Sequence, residues 1–145
     1  MDLRRTGVAA GAAVVASGAW YAAFGGRLAE LDDAYADPST PPWLLPVEFA
    51  RSATVATAVA ALASRSGAEG PADAVRLGLG LWAAFPAVLL TGSVVHEKVP
   101  WQQAAIHAGD WLVKLLLIAA ITGPRRSAQG TTSGTRRWVS FGGRT

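Results

Sequence analysis

The chain has 145 residues, of which 51% are hydrophobic and 16% charged; its mean hydropathy is +0.29 and its net charge +3. The lack of cysteine excludes disulfides, thiolate zinc sites and iron–sulfur clusters. The apolar residues form four long blocks, and most charges lie between the blocks or at the ends. This distribution is typical of a polytopic membrane protein, and the basic residues at the termini do not form a nucleic-acid-binding patch.

The four blocks predict four membrane-spanning helices. Each is close to the ~20 residues that cross a hydrocarbon core about 30 Å thick. Each must be helical, because lipid offers no hydrogen-bond partner to an open backbone. The predicted spans cover about residues 7–24, 44–64, 74–95 and 104–123. The predicted fold is therefore all-α, a four-transmembrane-helix bundle in residues 1–123 followed by a tail, residues 124–145.

The first block has a second interpretation, as a cleaved signal peptide. Arg4 and Arg5 provide a basic start, and the letters SGA at positions 17–19 form a cleavage site. Trp20 and Tyr21 follow directly, and such aromatics are typical of an interfacial belt at the end of a retained helix. We expect the first span to be retained.

Basic residues predict the orientation in the membrane. They concentrate at the N-terminus, around the second loop and in the tail: Arg4, Arg5, Arg65, Arg76, Arg125, Arg126, Arg136, Arg137 and Arg144. The first and third loops hold only Arg27 and Lys98. By the positive-inside rule both termini are cytoplasmic, which agrees with an even number of spans. We expect a multi-pass protein of the inner (plasma) membrane.

The tail after the fourth span is rich in Gly, Ser and Thr, with five arginines and no acidic residue. This composition predicts a disordered cytoplasmic segment. The alternative is a segment that contacts anionic lipid through its arginines, with Trp138 and Phe141 entering the interface.

The fourth span carries three ionisable side chains before its apolar half begins. His107, Asp110 and Lys114 stand at i, i+3 and i+7, on one face of the helix. Asp110 precedes Lys114 by four residues, the favourable order for an intrahelical ion pair. A charge at this depth costs at least about 2.5–3.5 kcal/mol on insertion scales, so this face must point into the bundle and find partners.

The second span offers such partners at a matching depth. Arg51 lies in the first third of that span, with Glu48 three residues before it on the same face. We expect one buried, charge-neutral cluster of Glu48, Arg51, Asp110 and Lys114. Its interpretation stays open between a structural tie among helices and a path for protons, ions or a small solute.

A second polar group is predicted at the outer end of the bundle. It consists of His96, Glu97 and His107. The two histidines could in principle ligate a haem, but simple polar contacts are the more common use of such residues, and we expect neither a cofactor nor a metal.

Three short motifs carry a resemblance to a known family. They are a G-x-W-Y pattern late in the first span, a His-Glu turn before the last span, and A-G-x-W-L-V in that span. Their residues are Gly18, Trp20, Tyr21, His96, Glu97, Lys98, Ala108, Gly109, Trp111, Leu112 and Val113. The pattern resembles the small bacterial membrane proteins catalogued as domain of unknown function 1761. The resemblance implies a four-helix membrane protein without an established activity, and Asp110 departs from the Tyr or His common there.

The sequence favours a structural or interaction role in a bacterial inner membrane. No enzymatic activity is expected, because the chain has no Gly-rich phosphate loop, nucleophile elbow or HExxH pair. The alternative is a small proton, ion or solute transporter or channel that uses the polar cluster. Expected partners are the lipid bilayer, a second copy or another membrane protein, and anionic lipid at the tail, but not nucleic acid.

Overall fold

The structure, a computed structural model, describes residues 2–37 and 39–123, and it is helical throughout. The helices are α1 (Leu3–Leu31), α2 (Leu44–Arg65), α3 (Pro71–Ala84), α4 (Pro86–His96) and α5 (Trp101–Thr122), with a 3-10 turn at Asp33–Tyr35. Because α3 and α4 form one apolar stretch, four helices are long and apolar enough to cross a membrane. This confirms the all-α, four-helix fold. The predicted tail lies outside the described residues.

The α1–α2 loop and the α4–α5 turn lie at one end of the bundle, here called the loop end. The start of α1 and the end of α5 lie at the other, the terminal end. At the terminal end Asp2 caps α1, because its side chain accepts hydrogen bonds from the backbone N–H groups of Arg4 and Arg5. At the loop end α1 continues past Phe24, the predicted limit of the first span, to Leu31. A helix of 29 residues is about 43 Å long, so α1 exceeds the thickness of a hydrocarbon core.

Pro86 divides the third span. Proline has no N–H to donate, and its ring clashes with the preceding turn, so the helix breaks at Phe85 and resumes as α4. α4 packs on α3 and α5, and no Cα atom of α4 lies within 8 Å of α1 or α2 in the described residues. The bundle is therefore open between α2 and α4 near the loop end.

The core is built from small side chains around α5, which contacts the other four helices. Its buried cluster is Ala9, Ala13, Ala56, Val59, Ala74, Leu115, Ile118 and Ala119. The larger apolar side chains lie outside, among them Val15, Leu45, Phe85, Val88, Leu89 and Trp101. This arrangement suits a bilayer, because small residues allow close helix contact and lipid covers the large apolar ones.

Two tryptophans hold α5 from neighbouring helices. Trp20 of α1 donates its indole N–H to the carbonyl of Ile106 at 3.0 Å, and Trp82 of α3 donates to the carbonyl of Ala108 at 2.8 Å. The Trp20 ring lies so close to Gly109 that a Cβ there would be 2.4 Å from its Cζ2 atom. The interfacial position expected for Trp20 stays a prediction; the structure adds that its ring faces α5 and that its N–H is satisfied there.

Gly109→Ala should lower the melting temperature of the protein in detergent, because the added methyl group overlaps the Trp20 ring. Overpacking of this kind costs about 1–3 kcal/mol. Gly18→Ala is the matched control, since a Cβ at Gly18 meets no atom within 4 Å. Equal melting temperatures for the two variants would show that Trp20 does not pack against Gly109.

Candidate functional site

An ion pair lies in the middle of the bundle. The carboxylate of Asp110 and the ammonium of Lys114 are 3.0 Å apart on α5, and both residues are buried. The second carboxylate oxygen of Asp110 accepts a hydrogen bond from the Ser17 hydroxyl at 2.6 Å. Each oxygen of this carboxylate therefore has a partner, which a buried charge requires. The Ser17 bond also ties α1 to α5.

Two residues of α2 extend this pair into a chain of alternating charges. The ammonium of Lys114 is 3.9 Å from one carboxylate oxygen of Glu48, and Arg51 pairs with the other oxygen. The side chain of Glu48 is 28% exposed and that of Arg51 is 58% exposed. The order from the core outwards is Asp110, Lys114, Glu48 and Arg51, and the formal charges sum to zero.

The structure thus brings all four predicted cluster residues together but buries only two of them. Arg51 does not contact Asp110 directly; Glu48 and Lys114 stand between them. The reason lies in the periodicity of α2, whose buried side is Ser52, Ala56, Val59 and Ala63. Glu48 is one turn before Ser52 and faces α5, whereas Arg51 is turned about 100° away from Ser52 around the helix. The expectation of burial for Arg51 was therefore wrong.

His107 lies one turn from Asp110, toward the loop end. Its Nδ1 atom is 2.8 Å from the hydroxyl of Tyr21, and its Nε2 atom is 3.0 Å from the hydroxyl of Tyr35. Both ring nitrogens therefore form hydrogen bonds, and either would have to break its bond to a tyrosine hydroxyl before it could bind a haem iron. His96 and Glu97 are exposed at the end of α4. In the described residues neither forms a hydrogen bond or ion pair with His107, so the predicted outer-end group is not brought together.

The polar residues line a cavity of about 640 Å³ near the loop end. Its polar lining consists of Ser17, Tyr21, Thr40, Glu48, Arg51, His107, Asp110 and Lys114. Its apolar lining consists of Val14, Leu44, Leu45, Leu90 and Trp111. Leu90 is on α4, whereas Leu44 and Leu45 are on α2. The cavity therefore lies along the gap between these two helices. A volume of this size is within the roughly 300–1,000 Å³ of small-molecule sites.

An apolar layer closes the cavity toward the terminal end. Along α1, α2 and α5, the cavity-lining residues are followed by the buried core residues Ala13, Ala56, Val59, Leu115 and Ile118. Beyond this layer a second, smaller cavity of about 320 Å³ lies between Asp2, Arg5, Ser64 and Thr122. The bundle therefore has a polar opening near each end and a layer of buried apolar side chains between them.

Sequence reasoning missed Ser17, Tyr21 and Tyr35 as partners of the polar residues on α5. Ser17 and Tyr21 are four residues apart on α1, and their partners Asp110 and His107 are three apart on α5. The sequence feature that could have predicted these contacts is the pair of hydroxyl side chains four residues apart, on one face of an otherwise apolar span. For Tyr35 no local signal exists, because its position depends on the path of the loop.

The arrangement can bind charged and polar groups. In residues 2–37 and 39–123, no three His, Asp or Glu side chains are grouped closely enough to hold a metal ion. The alternating charges, the hydroxyl of Tyr21 and the ring of His107 in one cavity can donate and accept several hydrogen bonds. This chemistry is that of a polar binding site.

A family model described as "Protein of unknown function (DUF1761)" matches residues 5–123. The match covers more than half of the chain, so the chain belongs to this family. No curated protein and no solved structure matches it. The residues behind the resemblance include Trp20, Tyr21 and Gly109, which meet at the α1–α5 contact. Because the family description states no activity, the function has to be argued from the site.

Asp110→Asn and Lys114→Met should each lower the melting temperature in detergent, because each leaves a buried charge without its partner. The loss expected for breaking a buried pair is about 3–5 kcal/mol. The double variant should lose less than the sum of the two, since it leaves neither charge unpaired.

Arg51→Gln is the internal comparison, and it should change stability by about 1 kcal/mol or less because its side chain is exposed. Arg76→Gln is matched to it, since Arg76 also pairs with an acid three residues before it. Melting of Asp110→Asn and Lys114→Met at or above the wild-type temperature would refute a stabilising role for the pair.

Proposed function

We propose that this member of the DUF1761 family is a bacterial inner-membrane protein that binds a small solute in the loop-end cavity and carries it across the membrane. The observation that supports this is the order of features along the bundle: polar cavity, apolar layer, polar opening. Solute sites of secondary transporters lie near the bilayer midplane, between openings that alternate in access. The proposal includes no enzymatic reaction.

The distribution of Lys and Arg supports an orientation with both termini in the cytoplasm. In this orientation the loop-end cavity faces the outside and the smaller cavity faces the cytoplasm. A solute from outside would reach the alternating charges first and then the apolar layer. Helices that pack through small side chains can shift against each other with little steric hindrance, which is the motion such a carrier needs.

The cost of the charges also supports a role in binding. Two charges in the middle of a membrane bundle are expensive, and neutral polar side chains could tie the helices at a lower cost. Glu48 and Arg51 add a second pair whose side chains face the cavity and not the core. A purely structural network gains little from exposed charges, whereas a binding site needs them.

A second candidate is a structural or interaction role, in which the chain associates with a second copy or with another membrane protein. The hydrogen bonds that join Ser17, Trp20 and Tyr21 to α5 favour it, because they stabilise the bundle without a solute. The charge neutrality of the cluster also agrees with this role. Access to the cavity distinguishes the two candidates.

Gly18→Cys, in a chain that has no other cysteine, should react with a membrane-impermeant methanethiosulfonate reagent from both faces of oriented vesicles. Gly18 lines the cavity and has space for a side chain. Gly11→Cys is the matched control, since Gly11 has similar space on α1 but does not line the cavity. It should react from neither face.

The three outcomes for Gly18→Cys separate the candidates. Labelling from both faces supports alternating access. Labelling from one face only contradicts transport and leaves a binding cavity. Protection from both faces means that lipid or protein fills the gap between α2 and α4, and it favours the structural role.

A further inference from the structure

The exposed guanidinium of Arg51 supplies hydrogen-bond donors to the loop-end cavity. Each carboxylate oxygen of Glu48 and Asp110 already has a partner, supplied by Arg51, Lys114 or Ser17. An arginine carries five N–H donors and a lysine ammonium three. In the described residues Arg51 uses one of its terminal nitrogens in an ion pair, and the rest of its exposed guanidinium faces the cavity. The remaining N–H groups of Arg51 therefore suit a ligand that accepts hydrogen bonds and carries negative charge.

The remainder of the cavity is apolar and open at the side. Leu44, Leu45, Leu90 and Trp111 line it, and the backbones of α2 and α4 stay apart along it. In a bilayer this gap faces the acyl chains of the lipid, because the side chains around it, Leu45 and Leu89, are exposed and apolar. A ligand that fills the cavity can therefore keep an apolar part in the gap while its charged part reaches Arg51.

We infer that the ligand of the cavity is an amphiphile with an anionic carboxylate or phosphate head, held at the head by Arg51 and at an apolar chain by the gap between α2 and α4. The inference rests on the proposed function and names its solute class. Glu48 holds the guanidinium of Arg51 toward the cavity. The second positive charge of the site is the ammonium of Lys114, which pairs with both carboxylates at the bottom of the cavity. A planar guanidinium suits either head group, since both accept two parallel N–H bonds.

Equilibrium binding of radiolabelled decanoate to the full chain in phosphatidylcholine nanodiscs tests this, with empty nanodiscs as the blank. Decanoate should bind saturably, and unlabelled acetate, which has the head but no chain, should not displace it. Decyltrimethylammonium has the same chain with the opposite charge, and it should compete at least about tenfold more weakly.

Arg51→Gln should weaken decanoate binding about tenfold or more, the loss expected for a charge-assisted hydrogen bond. Arg76→Gln should leave it unchanged, since Arg76 forms the same kind of ion pair on α3, away from the cavity. A melting transition near the wild-type temperature shows that each variant is folded. Equal decanoate affinity in wild type and Arg51→Gln overturns the inference, as does equal competition by the cationic probe.

Nanodiscs that contain phosphatidylglycerol distinguish the source of the amphiphile. A fall in apparent decanoate affinity there indicates that a membrane lipid competes for the site, and an unchanged affinity indicates a free amphiphile; both agree with an anionic head on an apolar chain. If decanoate fails to bind while Gly18→Cys is labelled from both faces, the transport proposal stands and the assignment of the solute class falls.

Discussion

The carboxylate of Asp110 and the ammonium of Lys114, 3.0 Å apart in the middle of the bundle, constrain the helices around them. Lipid cannot solvate either charge, so α5 must turn this face inward, and its neighbours must provide partners. Ser17 of α1 and Glu48 of α2 do so. Once these three helices are fixed, the small side chains below them set the distance at which the helices pack.

The contact between α1 and α5 shows how the polar and the apolar constraints depend on each other. The Ser17 hydroxyl reaches Asp110 only if the two helices approach closely, and Gly109 allows this approach by leaving room for the Trp20 ring. The indole N–H then bonds to a backbone carbonyl of α5, so the ring adds no unsatisfied donor. A larger residue at 109 would move α1 away and stretch the Ser17 bond as well.

Hydropathy alone predicted the class and the number of spans, because charge is excluded from long apolar helices by a large free-energy cost. Helical spacing was sufficient to place Asp110 and Lys114 in one pair, which is a local property of a single helix. It was not sufficient for Arg51, whose burial depends on how α2 is rotated against α1 and α5. The contact of Trp20 with α5 was not predicted for a related reason: an indole near the end of a span suits an interface as well as a tight helix contact, and only the position of Gly109 shows the contact. Tyr35 could not be placed from the sequence, because it lies in a loop without periodicity.

Arg51 then becomes the informative residue of the site. It lies seven residues into α2, about 10 Å along the helix axis from Leu44, and its side chain is 58% exposed. A guanidinium in that position is costly against acyl chains, even when one carboxylate neutralises it. The cost is reduced if the gap between α2 and α4 contains water or an anionic group at that depth. The apolar layer below Lys114 separates the cavity from the terminal end. Water or a ligand therefore reaches Arg51 from the loop end or through the gap between α2 and α4.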